Sequence, residues 1–269
     1  MTLAHGKTAA PTRLAALTGP GPVRDWTIRV AAFCALLLAW QLAAQNVSVA
    51  VLPTPRRVWE GMAGLLERGD LQLAWGQTAV QVAAGMLLSA VFGVVLGVLI
   101  GWFKPVDDAI SPLLNAVFLM PRIALVPLIA LWFGLQDTAK IALILSFSFF
   151  EIFFTVRNGV KTIENEFVEV AKAYCIPQWT VLRKVVLPAI TPYVMTGLRL
   201  GLVYALVGVV LGGFFLESNG IGGLIYALGS DFRTAELIAA LFTVMLVGLA
   251  VNLGLHRLEN LLAPWKVTR

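Results

Sequence analysis

From Leu71 to Phe103 the chain carries no charged side chain. At 1.5 Å per residue, a helix over that run approaches ~50 Å. A bilayer's hydrocarbon core is ~30 Å thick and needs ~20 apolar residues per crossing, so this helix must tilt or project beyond the membrane. The rest of the chain agrees: hydrophobic residues are 59% of its 269 residues, charged ones 13%, and the mean hydropathy is +0.84. A water-soluble domain cannot hide that much apolar surface, so the bilayer is the solvent. The expected fold is an all-α integral membrane protein of about six transmembrane helices.

The other apolar runs are Ile28–Ala44, Ala109–Leu135, Ile141–Val156, Ala189–Leu216 and Glu236–Leu255. Together they delimit one membrane domain, residues 28–255. Residues 1–27 lack a run long enough for a signal-peptide core and read as a flexible cytoplasmic tail; residues 256–269 read as a second, polar one. Arg56–Arg68 has the pattern of a short amphipathic helix lying in the interface. Lys104–Asp108 and Gln136–Lys140 read as polar turns. In the long run, Gly85, Ser89, Gly93, Gly97 and Gly101 recur every fourth residue. Such a stripe admits another helix at close range, for static packing or for a moving interface. Pro112, Pro121 and Pro127 interrupt the third run, and broken helices near mid-membrane are where transport paths are built. Glu217–Ala235 is glycine-rich, and Ile221–Ile225 reads as a short re-entrant or interfacial helix.

One long segment is amphipathic instead of apolar. Glu169–Pro188 reads EVAKAYCIPQWTVLRKVVLP, with Lys172, Arg183 and Lys184 outside the hydrocarbon. Val170, Ala173, Tyr174, Val181, Leu182 and Val185 recur at helical spacing and form an apolar face. Pro177 disfavours helix in the residue before it, so two short helices joined at a bend are expected. Orientation follows from the cations. Lys7, Arg13, Arg24, Arg29, Lys104, Arg157, Lys161, Lys172, Arg183, Lys184, Arg257, Lys266 and Arg269 fall on one side; Arg56, Arg57, Arg68, Lys140 and Arg233 fall on the other. The positive-inside rule then places both termini and the amphipathic segment in the cytoplasm. The net charge of +5 is thus a membrane-topology signal and implies no nucleic-acid partner.

Catalysis has no constellation here. The only histidines, His5 and His256, lie in opposite tails, and no metal-ligand spacing or Ser-His pair occurs in the spans. Gly6-Lys7-Thr8 lacks the leading glycine and the strand of a phosphate-binding loop. Cys34 and Cys175 lie in such different surroundings that no disulfide is expected. The sharpest polar signal is Glu151, inside the fourth run. A carboxylate at mid-bilayer costs at least ~2.5–3.5 kcal/mol on insertion scales, so it faces a cavity, water or a partner. Arg122 is the candidate partner, or a separate contact for an anionic solute. Phe147, Phe149, Phe150, Phe153 and Phe154 surround Glu151 in sequence and either line a path, with Phe150 and Phe154 foremost, or pack between helices and lipid. Arg199 reads as a cytoplasmic snorkelling anchor.

The amphipathic segment resembles the EAA loop of binding-protein-dependent ABC importer permeases. That pattern is Glu-Ala-Ala, three residues, Gly, nine residues, Ile, one residue, Leu-Pro. Glu169, Ala171, Leu187 and Pro188 match it, Val170 and Val185 stand for Ala and Ile, and Cys175 stands for the Gly. At Cys175 the usual sharp turn is in question, and Pro177 is expected to supply the bend. Leu52-Pro53-Thr54-Pro55, Met120-Pro121-Arg122 and Leu131-Trp132-Phe133-Gly134 are also similar to the family, so the resemblance covers the chain from about Leu52 onward. It is closest to the taurine, alkanesulfonate and nitrate type.

The resemblance implies a type I ABC importer permease fold in a bacterial inner membrane. It implies a second permease copy, two ATPase subunits and a soluble solute-binding protein on the outer face. The chain itself would hold no cofactor; ATP and Mg would sit on the ATPase. Residues 164–188 would dock in a cleft of the ATPase through Glu169, Ala171, Lys172, Cys175, Leu187 and Pro188. Glu217, Gly220, Gly222 and Gly223 would meet the binding protein and gate the outer end. The implied solute is a small organic or inorganic anion such as a sulfonate, taurine or nitrate. The alternative is a secondary transporter or channel acting without an ATPase, which predicts inverted repeats; residues 28–135 and 141–255 show no convincing repeat.

Overall fold

The computed structural model describes residues 22–216 and 219–262, with the side chains of all of these except 22–25, 164–173 and 262. Residues 1–21, the end of the C-terminal tail and Glu217 therefore lie outside the described residues. Among the described residues every regular element is helical. Among the described residues five helices are long and apolar enough to cross a membrane, or six if one bent pair counts as a single span.

The chain divides between Arg57 and Val58. In the first unit, helix α1 spans Pro22–Gln45. It starts ahead of the expected Ile28, because a proline is well tolerated in the first helical turn, where its missing N–H has no helical partner anyway. The Trp40 indole N–H donates to the Pro53 carbonyl at 3.1 Å and folds the Leu-Pro-Thr-Pro break back against the end of α1. Helix α2 (Pro55–Glu67) is the expected short amphipathic helix; Val58 and Leu65 are buried and Trp59 is exposed.

The second unit is organised around α6 (Asp137–Ala173), which packs between α3 (Asp70–Trp102) and α9 (Thr191–Phe215). The small-residue stripe explains the closeness. A Cβ at Gly93 would lie 2.9 Å from Ile152 Cγ2, and one at Gly101 would lie 3.0 Å from Val160 Cβ. From α9, a Cβ at Gly201 would lie 2.9 Å from Ile152 Cγ1. Ile152 is thus held between two glycine faces and is fully buried. Lipid offers apolar side chains as good a solvent as protein does, so this contact is held by dispersion at short range and by hydrogen bonds. Ser148 of α6 donates to the Gly201 carbonyl of α9 at 2.9 Å, and the Ser89 hydroxyl of α3, bonded to its own helix at the Gly85 carbonyl (2.7 Å), lies 3.5 Å from the Leu145 carbonyl of α6. The stripe is therefore a packing seam in this conformation.

The order of the contacts sets the topology. Successive residues of α3 meet successive residues of α6, so the two run parallel; α9 meets α6 in reverse order and runs antiparallel. Parallel neighbours need a return crossing. Helix α4 (Lys104–Leu119), a tight turn at Arg122–Leu125 and α5 (Val126–Phe133) supply it, with an 87° bend at Met120–Pro121. Pro121 makes the break, Pro127 starts α5, and Pro112 is accommodated inside α4. The expected polar turn at Lys104–Asp108 is instead the first turn of α4. Pro105 opens that helix and Asp107 follows in its first turn, where a negative charge suits the helix dipole.

Helix α10 (Gly220–Ser230) is the expected short apolar helix, and α11 (Thr234–Leu262) closes the unit. Helix α11 runs past Leu255 into the expected polar tail. There Glu259 is buried and pairs with Arg199 at 2.8 Å. Arg199 is thus a fastener between α9 and α11, in place of the free snorkelling anchor expected from sequence.

Candidate functional site

Three groups of predicted residues are placed by these elements. The first lies at the bend between α4 and α5. Breaking the chain at Pro121 turns Arg122 toward α6, where its Nη2 donates to Glu151 Oε1 at 3.0 Å and its Nη1 donates to the Phe147 carbonyl at 2.7 Å. The guanidinium carbon lies 5.0 Å from the ring centre of Phe118, 5.5 Å from Phe150, 5.9 Å from Phe147 and 5.3 Å from Tyr204. Ring faces are electronegative and stabilise a cation away from water. Phe118 also stacks edge-on against Phe154 at 4.9 Å and against Phe150 at 6.3 Å. The structure therefore brings together Arg122, Glu151, Phe150 and Phe154. Sequence reading missed Phe118 and Tyr204. Phe118 sits just before the Met-Pro break, a signal that was available; nothing in the sequence pointed to Tyr204 on α9.

The second group is the amphipathic segment. Its first half is no separate helix: α6 continues without a break from the membrane through Glu169, Ala171 and Lys172, whose side chains lie outside the described residues. The chain then turns at Tyr174–Pro177. Cys175 itself adopts the left-handed backbone, φ 52°. The turn is thus kept at the position where the family pattern has Gly, and Pro177 opens the next helix, α7 (Gln178–Val181), in extended conformation. A widened π turn at Leu182–Val186 follows, with the Leu187 N–H bonded back to the Leu182 carbonyl. It leads into α8 (Leu187–Ala189). Pro188 has no N–H and its ring crowds the carbonyl four residues back, so a wider turn ahead of it relieves the helix.

Val181, Leu182, Val186 and Ile190 are buried in one core with Ile152, Val156 and Val160 of α6, which fixes this half of the segment to the helix stack. Tyr174, expected on the buried face, is 77% exposed, and Ile176 and Trp179 are exposed beside it. Cys175, Leu187 and Pro188 are exposed as well. A left-handed residue other than Gly costs roughly 1–2 kcal/mol, against about 0.5–1 kcal/mol for the greater freedom of Gly in the unfolded chain. Cys175→Gly is therefore expected to stabilise the protein modestly, on the order of 0.5–1 kcal/mol. Thermal melting of the purified protein in detergent checks this; a lower melting temperature would contradict the strained turn.

The third group is the far end of the stack. Gly220 has φ +73°, and its N–H donates to Gln77 Oε1 at 2.8 Å; the Ile221 N–H donates to Thr78 Oγ1 at 2.8 Å. Side chains of α3 thus cap α10, whose own Asn219 makes no side-chain cap. Asn219 donates instead to Asp137 at 3.0 Å, as does Gln81 at 2.7 Å, and Lys140 Nζ donates to the Asn219 carbonyl at 2.8 Å. Asp137 and Lys140 were expected in a polar turn; they lie in the first turn of α6, and Lys140 is buried. Gly222 and Gly213 bring the backbones of α10 and α9 into direct contact: a Cβ on either would overlap main-chain atoms of the other helix. Gly220, Gly222 and Gly223 are all buried.

The opposite end carries its own ion cluster. Asp107 of α4 is buried and accepts from Arg157 at 2.5 Å and from Lys161 at 2.7 Å, both on α6. Ser111 donates to the same carboxylate at 2.7 Å. The two ends of the stack are thus tied by different chemistry. One has amide caps around α10, and the other has a multiply bonded carboxylate between α4 and α6.

Comparison with known proteins follows the same lines. Residues 74–267 match the family described as binding-protein-dependent transport system inner membrane component. The chain is 29% identical to a protein of Bacillus subtilis named as an aliphatic sulfonates transport permease, over 86% of this chain and 84% of that one. It is 27% identical to the formylaminopyrimidine transport permease protein of Halalkalibacterium halodurans, over 87% and 94%. It is also 27% identical to the taurine transport system permease protein of Escherichia coli, over 90% of each.

Proposed function

We propose a working assembly for this chain from one premise: it belongs to the family of binding-protein-dependent transport system inner membrane components. It is the multi-pass permease subunit of an ABC importer, and such importers work with an ATPase and a solute-binding protein. The specific assembly is our reading. Two copies of the chain form the path in a bacterial inner membrane, with both termini cytoplasmic. Two ATPase subunits carry ATP and Mg and do all the hydrolysis. A soluble binding protein delivers a small anion, a sulfonate or taurine by analogy with the relatives.

One observation carries this reading. The segment after α6 presents Tyr174, Ile176 and Trp179 to its surroundings, while Val181, Leu182, Val186 and Ile190 hold its other half to the helix stack. An exposed apolar patch on a braced polar segment is suited to docking another protein. Residues 164–188 would sit in a cleft of the ATPase. Closure of the ATPase pair on ATP would draw the cytoplasmic ends together as rigid bodies and open the outer side. Because α6 is one helix, Glu169 and Glu151 lie on a single rod, about 27 Å apart along its axis. Displacement at the dock would reach Glu151 and Arg122 without passing through a hinge. Gly220, Gly222 and Gly223, with Glu217 just ahead of them, would form the outer gate below the binding protein.

Reconstitution into liposomes tests the reading. Uptake of taurine or an alkanesulfonate is expected only with the partner ATPase, ATP and the loaded binding protein. Uptake by this chain alone, driven by an ion gradient, would replace the reading with a secondary transporter.

A further inference from the structure

Among the described residues, three carboxylates of the stack pair with cations on other helices, and one differs from the others. Asp107 accepts from Arg157, Lys161 and Ser111, and its side chain is 4% exposed. Glu259 is 2% exposed and pairs with Arg199. Glu151 is 13% exposed, and its carboxylate accepts one hydrogen bond among the described residues, from Arg122 Nη2. Arg122 does not depend on it. The Phe147 carbonyl and four aromatic rings hold the guanidinium in place independently of Glu151. The cation has partners besides Glu151; the carboxylate has one hydrogen bond among the described residues, and it is to Arg122.

Resting on the small-anion reading above, we propose that Glu151 is a tethered stand-in for the travelling solute. The oxyanion headgroup of a monoanionic solute, a sulfonate or a carboxylate, displaces Glu151 from Arg122 during translocation. Glu151 takes the guanidinium back as the solute leaves. The geometry suits this exchange. A guanidinium offers paired donors to an oxyanion, and Glu151 uses only one of them. The rings that stabilise the cation also surround the headgroup with apolar surface, which accepts a short alkyl chain. The bend at Pro121 leaves Met120 and Ile123 exposed beside the pair.

The exchange answers a physical requirement of a transport path: a site must hold its solute well enough to admit it and weakly enough to release it. An Arg in hydrocarbon without a counter-ion would be costly when empty and would hold an anion too long when full. A carboxylate on the same scaffold competes at an effective concentration on the order of millimolar, which lowers the net affinity of the site and resets it after each passage.

The test uses the whole complex with its ATPase and binding protein, and labelled methanesulfonate, ethanesulfonate and bicarbonate as probes. Two quantities are read: the maximal uptake rate, and the probe that stays with the solubilised complex through gel filtration. Arg122→Gln is expected to lower the rate at least about tenfold and to retain no probe. Glu151→Gln is expected to lower the rate and to raise retention about tenfold, because the competitor is gone. The double variant Arg122→Gln with Glu151→Gln is expected to match Arg122→Gln. A pair that only packs gives the opposite result, because replacing both charges by neutral groups of similar shape is often harmless. Recovery of uptake in the double variant overturns the proposal, as does unchanged retention in Glu151→Gln. If Arg122→Gln does not assemble, Arg122→Lys is read instead; it keeps the charge and loses the paired donors, and an undiminished rate overturns the proposal. If the unaltered complex hydrolyses ATP with loaded binding protein yet takes up none of the three anions, the small-anion reading fails and the stand-in falls with it. Uptake by the unaltered complex without a stand-in effect leaves that reading intact.

Discussion

Glu169→Lys and Ala171→Asp are each expected to lower solute-stimulated ATP hydrolysis and uptake at least about tenfold, while the protein still inserts and folds. Both positions lie in the last turns of α6, just before the left-handed turn at Cys175. They follow Lys161, whose ammonium meets Asp107 at the charged end of the stack. Residues 169 and 171 follow Ile152 by roughly 26–29 Å along the axis of α6, so a substitution there leaves the buried seam at Ile152 untouched. At a docking surface the same substitution places a wrong or unpaired charge where water is excluded, which costs several kcal/mol, and every 1.4 kcal/mol is tenfold in affinity. Co-purification with the ATPase should fall in parallel. Normal solute-stimulated hydrolysis in both variants would remove residues 169–171 from the dock.

Gly213→Val has the largest expected effect on structure. A Cβ at Gly213 would overlap the Gly222 carbonyl carbon and the Gly223 nitrogen, which are main-chain atoms and cannot rotate away. Helix α10 would have to leave α9. That would pull the Gly220 and Ile221 amides from Gln77 and Thr78. Overpacking alone costs typically 1–3 kcal/mol, and each buried amide left without an acceptor adds about 1–3 kcal/mol. The expected outcome is a clear drop in melting temperature and loss of uptake. Gly76→Ala is the control, since nothing lies within 4 Å of a Cβ there. Equal stability of Gly213→Val and the unaltered protein would refute the α9–α10 contact.

Much of this architecture was readable from residue spacing. The four-residue recurrence of Gly85, Ser89, Gly93, Gly97 and Gly101 foretold a close helix contact, and the structure supplies its partner in α6. A carboxylate at position 151 inside an apolar run had to have company, and Arg122 was the nearest candidate by type. Other features were hidden for identifiable reasons. Glu169–Ala173 was expected to belong to a short helix separate from the span before it, because the charges from Arg157 onward mark only the exit from the bilayer and not the end of a helix. The better signal was the absence of any proline between Arg157 and Ile176, which leaves α6 free to continue. Lys104-Pro105 looked like a turn, although proline equally opens a helix. The burial of Asp107 and Glu259 was not visible, since their partners Arg157 and Arg199 are distant in sequence and only packing unites them. At Cys175 the tertiary structure imposes a left-handed turn on a residue that disfavours it, which no propensity scale would anticipate.

The central claim is that the Tyr174–Pro177 turn faces the cytosol and is covered by a separate ATPase. Cys175 is exposed, and Cys34 is the only other cysteine, so a Cys34→Ser variant carries a single native probe. Membrane-impermeant maleimide should label it in inside-out vesicles and leave it unlabelled in right-side-out ones, and adding the ATPase should abolish the labelling. Labelling from the outer face, or labelling undiminished by bound ATPase, would contradict the account.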